Sequence, residues 1–154
     1  MKVMIVGHGY VGSAVASIFN DEEKVIIDPK FNDNKISDFS KQKFNIVFVC
    51  VDTPKGNNTT LLDKVLDEIN TFIGNDTPVC CKSTSTPKYY GNAEKIYNNI
   101  RVLHSPEYLD SKNNIEKFQN QTFCIVGGEE SACRLVTSAF CSRLKNLTLE
   151  NSHI

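Results

Sequence analysis

At 154 residues the chain has the length of one domain, enough to bury roughly 70% of its unfolded surface without metal or disulfide staples. Its 17 Lys and Arg balance 18 Asp and Glu to a formal charge of −1 and are scattered along the chain, which argues against a nucleic-acid or anionic-membrane partner. The sequence enters a strand at once, with no charged leader, long apolar stretch or cleavage site, so the expected location is cytoplasmic.

Residues 2–6 read as a short apolar strand that runs into Gly7-His8-Gly9-Tyr10-Val11-Gly12 and then an amphipathic helix. This is a G-x-G-x-x-G fingerprint in its required setting: Gly7 for the tight turn, Gly9 for approach of a pyrophosphate to the backbone, Gly12 for close helix–sheet packing. The helix start adds unpaired N–H groups and a positive dipole end for the phosphates. Residues 24–27 form the next expected strand, ending on Asp28. A carboxylate there accepts both hydroxyls of an adenosine ribose and repels a 2′-phosphate, favouring NAD over NADP. Lys30 weakens that exclusion slightly.

Residues 31–43 are polar and suggest a short helix or a loop, and residues 45–51 are a continuous apolar run typical of a strand buried on both faces. Leu62, Val65, Leu66, Ile69, Phe72 and Ile73 recur at helical spacing, with Thr60 as N-cap and Gly74 as stop. A strand is expected over 78–82, a weaker helix over 89–98, and strands over 101–104 and 121–126. Residues 129–144 form a helix with Ala132, Leu135, Val136, Ala139 and Phe140 on one face, acidic at its start and closed by Arg143 and Lys145. Residues 147–149 are expected as a last short strand. Strands alternating with helices in this way predict an α/β fold, a three-layer doubly wound parallel sheet of Rossmann type. Ligands of such sheets sit at the carboxyl ends of the strands, here the loops after Val6, Ile27, Val51, Lys82 and His104.

The six cysteines fall in expected strands (Cys50, Cys80, Cys81, Cys124) and on the last helix (Cys133, Cys141), without C-x-x-C and without His at zinc spacing. They read as reduced, mostly buried small hydrophobes, and no metal site is expected.

Five loops in order, Gly7 to Gly12, Asp28, Val51-Asp52-Thr53-Pro54, Lys82-Ser83-Thr84 and Ser105-Pro106-Glu107-Tyr108-Leu109, resemble the NAD-binding domain of the UDP-glucose/GDP-mannose dehydrogenases. That family shows GxGYVG, an acidic end to the second strand, V-x-T-P, K-S-T and (N/S)-P-E-F-L, with Tyr108 here in place of Phe. The resemblance implies NAD as cofactor, with Gly7, Gly9, Tyr10, Val11 and Gly12 on the pyrophosphate, Asp28 on the adenosine ribose, and Thr53, Ser83 and Thr84 on the remainder. It also implies catalytic contributions from Thr84, which matches a threonine that orders a water near the reacting carbon, and from Glu107, near the nicotinamide. In the family an enzyme oxidises a sugar C6 alcohol twice to the acid, through a cysteine thiohemiacetal and thioester.

By the same resemblance, residues 1–154 form a single NAD-binding domain, and the family's central helix and C-terminal sugar-nucleotide domain, with its cysteine, are absent. Asp110-Ser111-Lys112 stands where the family carries R-E-G or R-E-S, and Asn120-Gln121-Thr122 where it carries P-D-R. The expected function is therefore an NAD-binding domain not catalytically complete alone. The alternative is a nucleotide-binding, decoy or regulatory module without enzymatic activity, and autonomous oxidation of a small alcohol ranks last. Expected partners are NAD(H), then UDP-glucose or another nucleotide sugar, and a second copy or a complementing dehydrogenase subunit.

Each loop also has a plainer use. Thr53-Pro54 fits turn chemistry, Ser83 with Thr84 fits a helix cap, and Glu107, following Pro106, fits a cap or a local pair. His8, His104 and the pair Tyr89-Tyr90 read as structural.

Overall fold

The computed structural model describes residues 1–54, 58–107, 109, 112–148 and 152–153. Tyr108, Asp110, Ser111 and Leu149, each used in the sequence reading, lie outside the described residues.

Five short strands form one parallel sheet: β1 (Val3–Val6), β2 (Lys24–Ile27), β3 (Ile46–Val49), β4 (Thr77–Cys81) and β5 (Ile100–His104), in the order β2-β1-β3-β4-β5. Every pairing in this sheet is parallel, as the unbroken apolar runs predict. Side chains alternate between two cores. Val3, Ile5, Ile46, Phe48 and Cys80 face one, with helices α1 (Tyr10–Ala16), α4 (Asn114–Gln119) and α5 (Glu130–Cys141) laid over them. Met4, Val6, Val47, Val49, Val79 and Cys81 face the other, beneath a 3-10 turn at Ile36–Phe39, α2 (Thr60–Phe72) and α3 (Pro87–Ile96). The chain is thus a three-layer α/β sandwich.

Local chemistry accounts for most boundaries. Leu62, Val65, Leu66 and Ile69 put one stripe of α2 against the sheet, each burial contributing roughly 1.5–3 kcal/mol. That helix begins at Thr60 itself, with Thr59 at the cap position, and ends before Gly74, whose φ of +47° only glycine adopts freely. Thr86 caps α3 by accepting from the Tyr89 N–H at 3.2 Å, and Pro87 supplies the preset first helical residue. The sequence alternative that gave capping to Ser83 and Thr84 is corrected by this bond.

Three other expectations change. Helix α4 was not foreseen, because only Ile115 and Phe118 of its six residues are apolar, and only Phe118 is buried. The strand expected over 121–126 shrinks to β6 (Cys124–Ile125), which lies outside the five-stranded sheet, while Gly127 just after it forms an antiparallel bridge to His104 of β5. Residues 147 and 148 carry no strand; the partner of β6 is β7 (Ser152–His153), in parallel register. A run of two residues is set by what lies beside it and leaves no periodicity to read.

Candidate functional site

The strand order reverses between β1 and β3, so the crevice outside their carboxyl ends is the natural ligand position of this sheet. The glycine loop leaves β1 there. Gly7 has φ +91°, and a Cβ on it would meet the Cys50 carbonyl oxygen at 2.7 Å; on Gly12 a Cβ would lie 1.9 Å from the Gly7 carbonyl oxygen. Both glycines are therefore required by the fold. A Cβ on Gly9 would meet nothing within 4 Å. That open space lies over the backbone at the start of α1, whose first intrahelical bond runs from the Ser13 N–H to the Gly9 carbonyl at 2.9 Å. The N–H groups of Tyr10, Val11 and Gly12 precede it and have no earlier turn to bond. Tyr10 is largely exposed, and its carbonyl accepts from the Asn114 amide of α4 at 2.6 Å.

Asp28 follows β2 beside this loop. Its carboxylate accepts from the His8 N–H at 2.6 Å and from the Lys30 N–H at 2.8 Å, one bond to each oxygen. The His8 N–H bond chiefly holds its pKa below the usual carboxylate value, against a smaller upward push from burial. The carboxylate is thus fixed in place and charged, with lone pairs left for ribose hydroxyls.

Thr53 and Ser83 are tied to each other's loops. The Thr53 hydroxyl donates to the Thr84 carbonyl at 2.7 Å and the Ser83 hydroxyl to the Val51 carbonyl at 2.7 Å, while Tyr90 Oη donates to the Ser83 carbonyl at 2.5 Å. Each hydroxyl has spent its proton on the main chain and offers only lone pairs to a ligand. Thr84 itself is exposed.

Glu107 sits deeper. Lys82 Nζ lies 3.0 Å from its Oε2, with the lysine side chain 2% and the glutamate side chain 8% exposed. The same ammonium donates to the buried Ser105 hydroxyl at 3.1 Å and stands 5.2 Å from the Phe140 ring centroid. Burial pulls the Lys82 pKa down, but the charge of Glu107, the neighbouring thiols and the hydrogen bond to Glu107 outweigh it, and the net shift is upward. A cavity of about 170 Å³ opens beside the pair, between Glu107, α4 and β6. The structure therefore brings Gly7 to Gly12, Asp28, Thr53, Ser83 and Thr84 to one end of the sheet and sets Glu107 back beneath it. Lys82 and Ser105 are the residues that sequence reasoning passed over; the lysine of the K-S-T motif was the available signal.

The remaining candidates are structural. The His104 ring stacks on Tyr90 at 4.1 Å, and burial chiefly, with Lys82 second, pushes its pKa down. Tyr89 donates to Asp63 at 2.6 Å, locking α3 to α2. Burial raises every cysteine thiol, Cys80 to about 12. All six are unpaired, four of them buried, and none has the lowered pKa of an activated nucleophile.

The family model of the UDP-glucose/GDP-mannose dehydrogenase family, NAD binding domain, matches residues 35–145, well over half of the chain. The chain belongs to this family, as an NAD-binding domain. The match starts beyond the glycine loop and Asp28, so the geometry of those residues is an observation separate from it.

Solved structures of the family share the fold. A UDP-D-ManNAc dehydrogenase from Pyrococcus horikoshii superposes with a TM-score of 0.78 at 18% identity, covering 96% of this chain and 47% of that one. A UDP-glucose dehydrogenase from Pyrobaculum islandicum gives 0.77 at 14%, over 99% and 46%, and a GDP-mannose dehydrogenase from Pseudomonas aeruginosa gives 0.74 at 19%, over 96% and 45%. The chain thus spans about half the length of these dehydrogenases. A comparison with curated proteins gives no match. Among the described residues no helix is long and apolar enough to cross a membrane.

Proposed function

We propose that residues 1–154 form a single NAD-binding domain that supplies the cofactor half of a nucleotide-sugar dehydrogenase site. In this reading Gly7, Gly9, Tyr10, Val11 and Gly12 hold the pyrophosphate, Asp28 accepts the adenosine ribose hydroxyls, and Thr53, Ser83 and Thr84 accept from the rest of the dinucleotide. Bound NAD⁺ accepts a hydride from an alcohol. Thr84 and Glu107 stand at the nicotinamide end, with Glu107 held against Lys82 at 3.0 Å. The observation that carries the reading is the open space over Gly9 beside a carboxylate fixed by two backbone N–H bonds.

Oxidation of UDP-glucose or a related nucleotide sugar needs a base and a substrate pocket at the nicotinamide, and in the thioester route an activated thiol. Burial raises every cysteine thiol here, which supports a domain that supplies no activated thiol of its own and is not catalytically complete alone. The same observation favours the second reading, a nucleotide-binding or regulatory module without enzymatic activity. A complementing subunit or a second copy would separate the two. Unpaired cysteines suit the cytoplasm.

Calorimetric titration with NAD⁺, NADH, NADP⁺ and UDP-glucose tests this. Micromolar NAD(H) binding with weaker NADP⁺ is expected. Gly9→Val fills the open space without touching the fold, so it should abolish NAD⁺ binding at an unchanged melting temperature, and Asp28→Ala should weaken it strongly. Equal affinity in parent and Gly9→Val would sink the proposal.

A further inference from the structure

The turn after β2 is pinned from several sides. The Phe31 and Asn32 N–H groups both donate to the Asp28 carbonyl at 2.9 Å, Lys30 N–H holds the Asp28 carboxylate, and the Asn32 and Asn34 side-chain amides both donate to the Ile26 carbonyl, at 3.0 and 3.1 Å. On this rigid turn the Phe31 ring is 58% exposed. Beside it lies the His8 ring from the glycine loop, 4.3 Å between centroids and tilted by 53°. A single exposed apolar side chain is ordinary on a protein surface. Phe31 differs in standing on a hydrogen-bonded turn, in contact with a second ring, and one turn from the carboxylate at the end of β2.

This position has a chemical meaning if Asp28 takes the adenosine ribose. The base is joined to the carbon next to the one bearing the 2′-hydroxyl, so a ribose held by Asp28 places the base within a ring's width of the carboxylate. An ordered aromatic face there gives a purine a stacking surface whose ordering cost is already met by the turn. The His8 ring is turned onto Phe31, and the Asn32 and Asn34 amides each donate to the Ile26 carbonyl.

We propose that Phe31, steadied by His8, is the platform on which the adenine of the dinucleotide stacks. The proposal rests on the NAD-binding reading above and deepens it: the adenosine half is bound through its ribose and its π-face. Phe31 would touch the base, whereas His8 acts as a positioning residue. Stacking is blind to the exocyclic groups of the base, so a hypoxanthine analogue of the dinucleotide should bind as well as the adenine one.

Calorimetry of the whole chain with NAD⁺, AMP and nicotinamide mononucleotide tests it. Phe31→Ala should weaken NAD⁺ and AMP by about tenfold, the usual scale for loss of one base–aromatic stack, and leave nicotinamide mononucleotide unchanged. Phe31→Leu keeps the apolar volume and should lose affinity too, while Phe31→Trp should restore it. His8→Ala should weaken AMP in the parent background and have no effect in the Phe31→Ala background. AMP binding that is equal in parent, Phe31→Ala and Phe31→Leu overturns the proposal, as does an equal loss for nicotinamide mononucleotide. A parent that binds AMP with this pattern but not NAD⁺ overturns the dinucleotide reading and leaves the platform standing; a parent that binds neither overturns both.

Discussion

Removing either partner of the Lys82–Glu107 pair would take from the other its buried counter-charge, since each side chain keeps less than a tenth of its surface. Lys82→Met should therefore destabilise the domain by about 3–5 kcal/mol in urea unfolding. The double variant Lys82→Met, Glu107→Gln should recover much of that loss, because no charge then remains to be desolvated; a double variant as unstable as the single one would show that packing against Phe118 and Phe140 dominates. The folded pKa of Lys82 is raised, so the stability it contributes is fully present below the ordinary lysine value and is lost only as pH climbs through the raised one. Residues such as Gly7, Gly12 and Asp28 were legible because their work is local: a positive φ, a close approach of backbone, a carboxylate just past a strand end. The ion pair was not. Lys82 and Glu107 meet only because β4 and β5 pair in the register that sets Cys81 against His104, which brings the Ser105 N–H to the Cys81 carbonyl at 2.9 Å.

Helix α5 shows how much an element's end can depend on one side chain. Glu129, just outside the helix, accepts from the N–H groups of Ser131 and Ala132 at 3.0 Å each and from the Ser131 hydroxyl at 2.7 Å, and it pairs with Arg101 at 2.9 Å. The Ser131 hydroxyl first, then the two N–H groups, hold its carboxyl down to about 2 from 4.5. A depressed carboxylate contributes stability above its unfolded pKa and loses it as pH falls through the folded one. Glu129→Ala should therefore lower the melting midpoint by a few degrees at neutral pH, and the gap to the parent should close between about pH 4.5 and 2. A gap independent of pH would mean that the carboxylate charge does not carry the cap. The sequence placed α2 and α5 well because their apolar residues recur at helical spacing over three turns. It missed α4, which has fewer than two turns and is held by Asn114 bonding to α1 and Gln119 bonding to Ser17 at its end.

Over the whole molecule stability is unevenly spread. Val3, Met4, Ile5, Ile46, Val47, Phe48 and Val49 are wholly buried between two helical layers, whereas among the described residues β6 pairs with the two residues of β7 alone, and Phe123 and Ile125 are about half exposed. Native-state hydrogen exchange should find the amides of β1 and β3 opening only with global unfolding, and those of β6 opening locally at much lower free energy. Equal protection in the two sheets would contradict this layering. The sequence by itself determined the parallel α/β architecture and the ends of the strands where a dinucleotide belongs, because continuous apolar runs, helical periodicity and glycine punctuation are properties of neighbouring residues. Tertiary structure alone decided that Glu107 is paired beneath the loops, that the hydroxyls of Thr53 and Ser83 spend their protons on each other's loops, and that the His8 ring lies beside an exposed Phe31. Those outcomes join residues about 20 to 30 positions apart, and only strand register and the closeness of adjacent loop ends settle which of them meet.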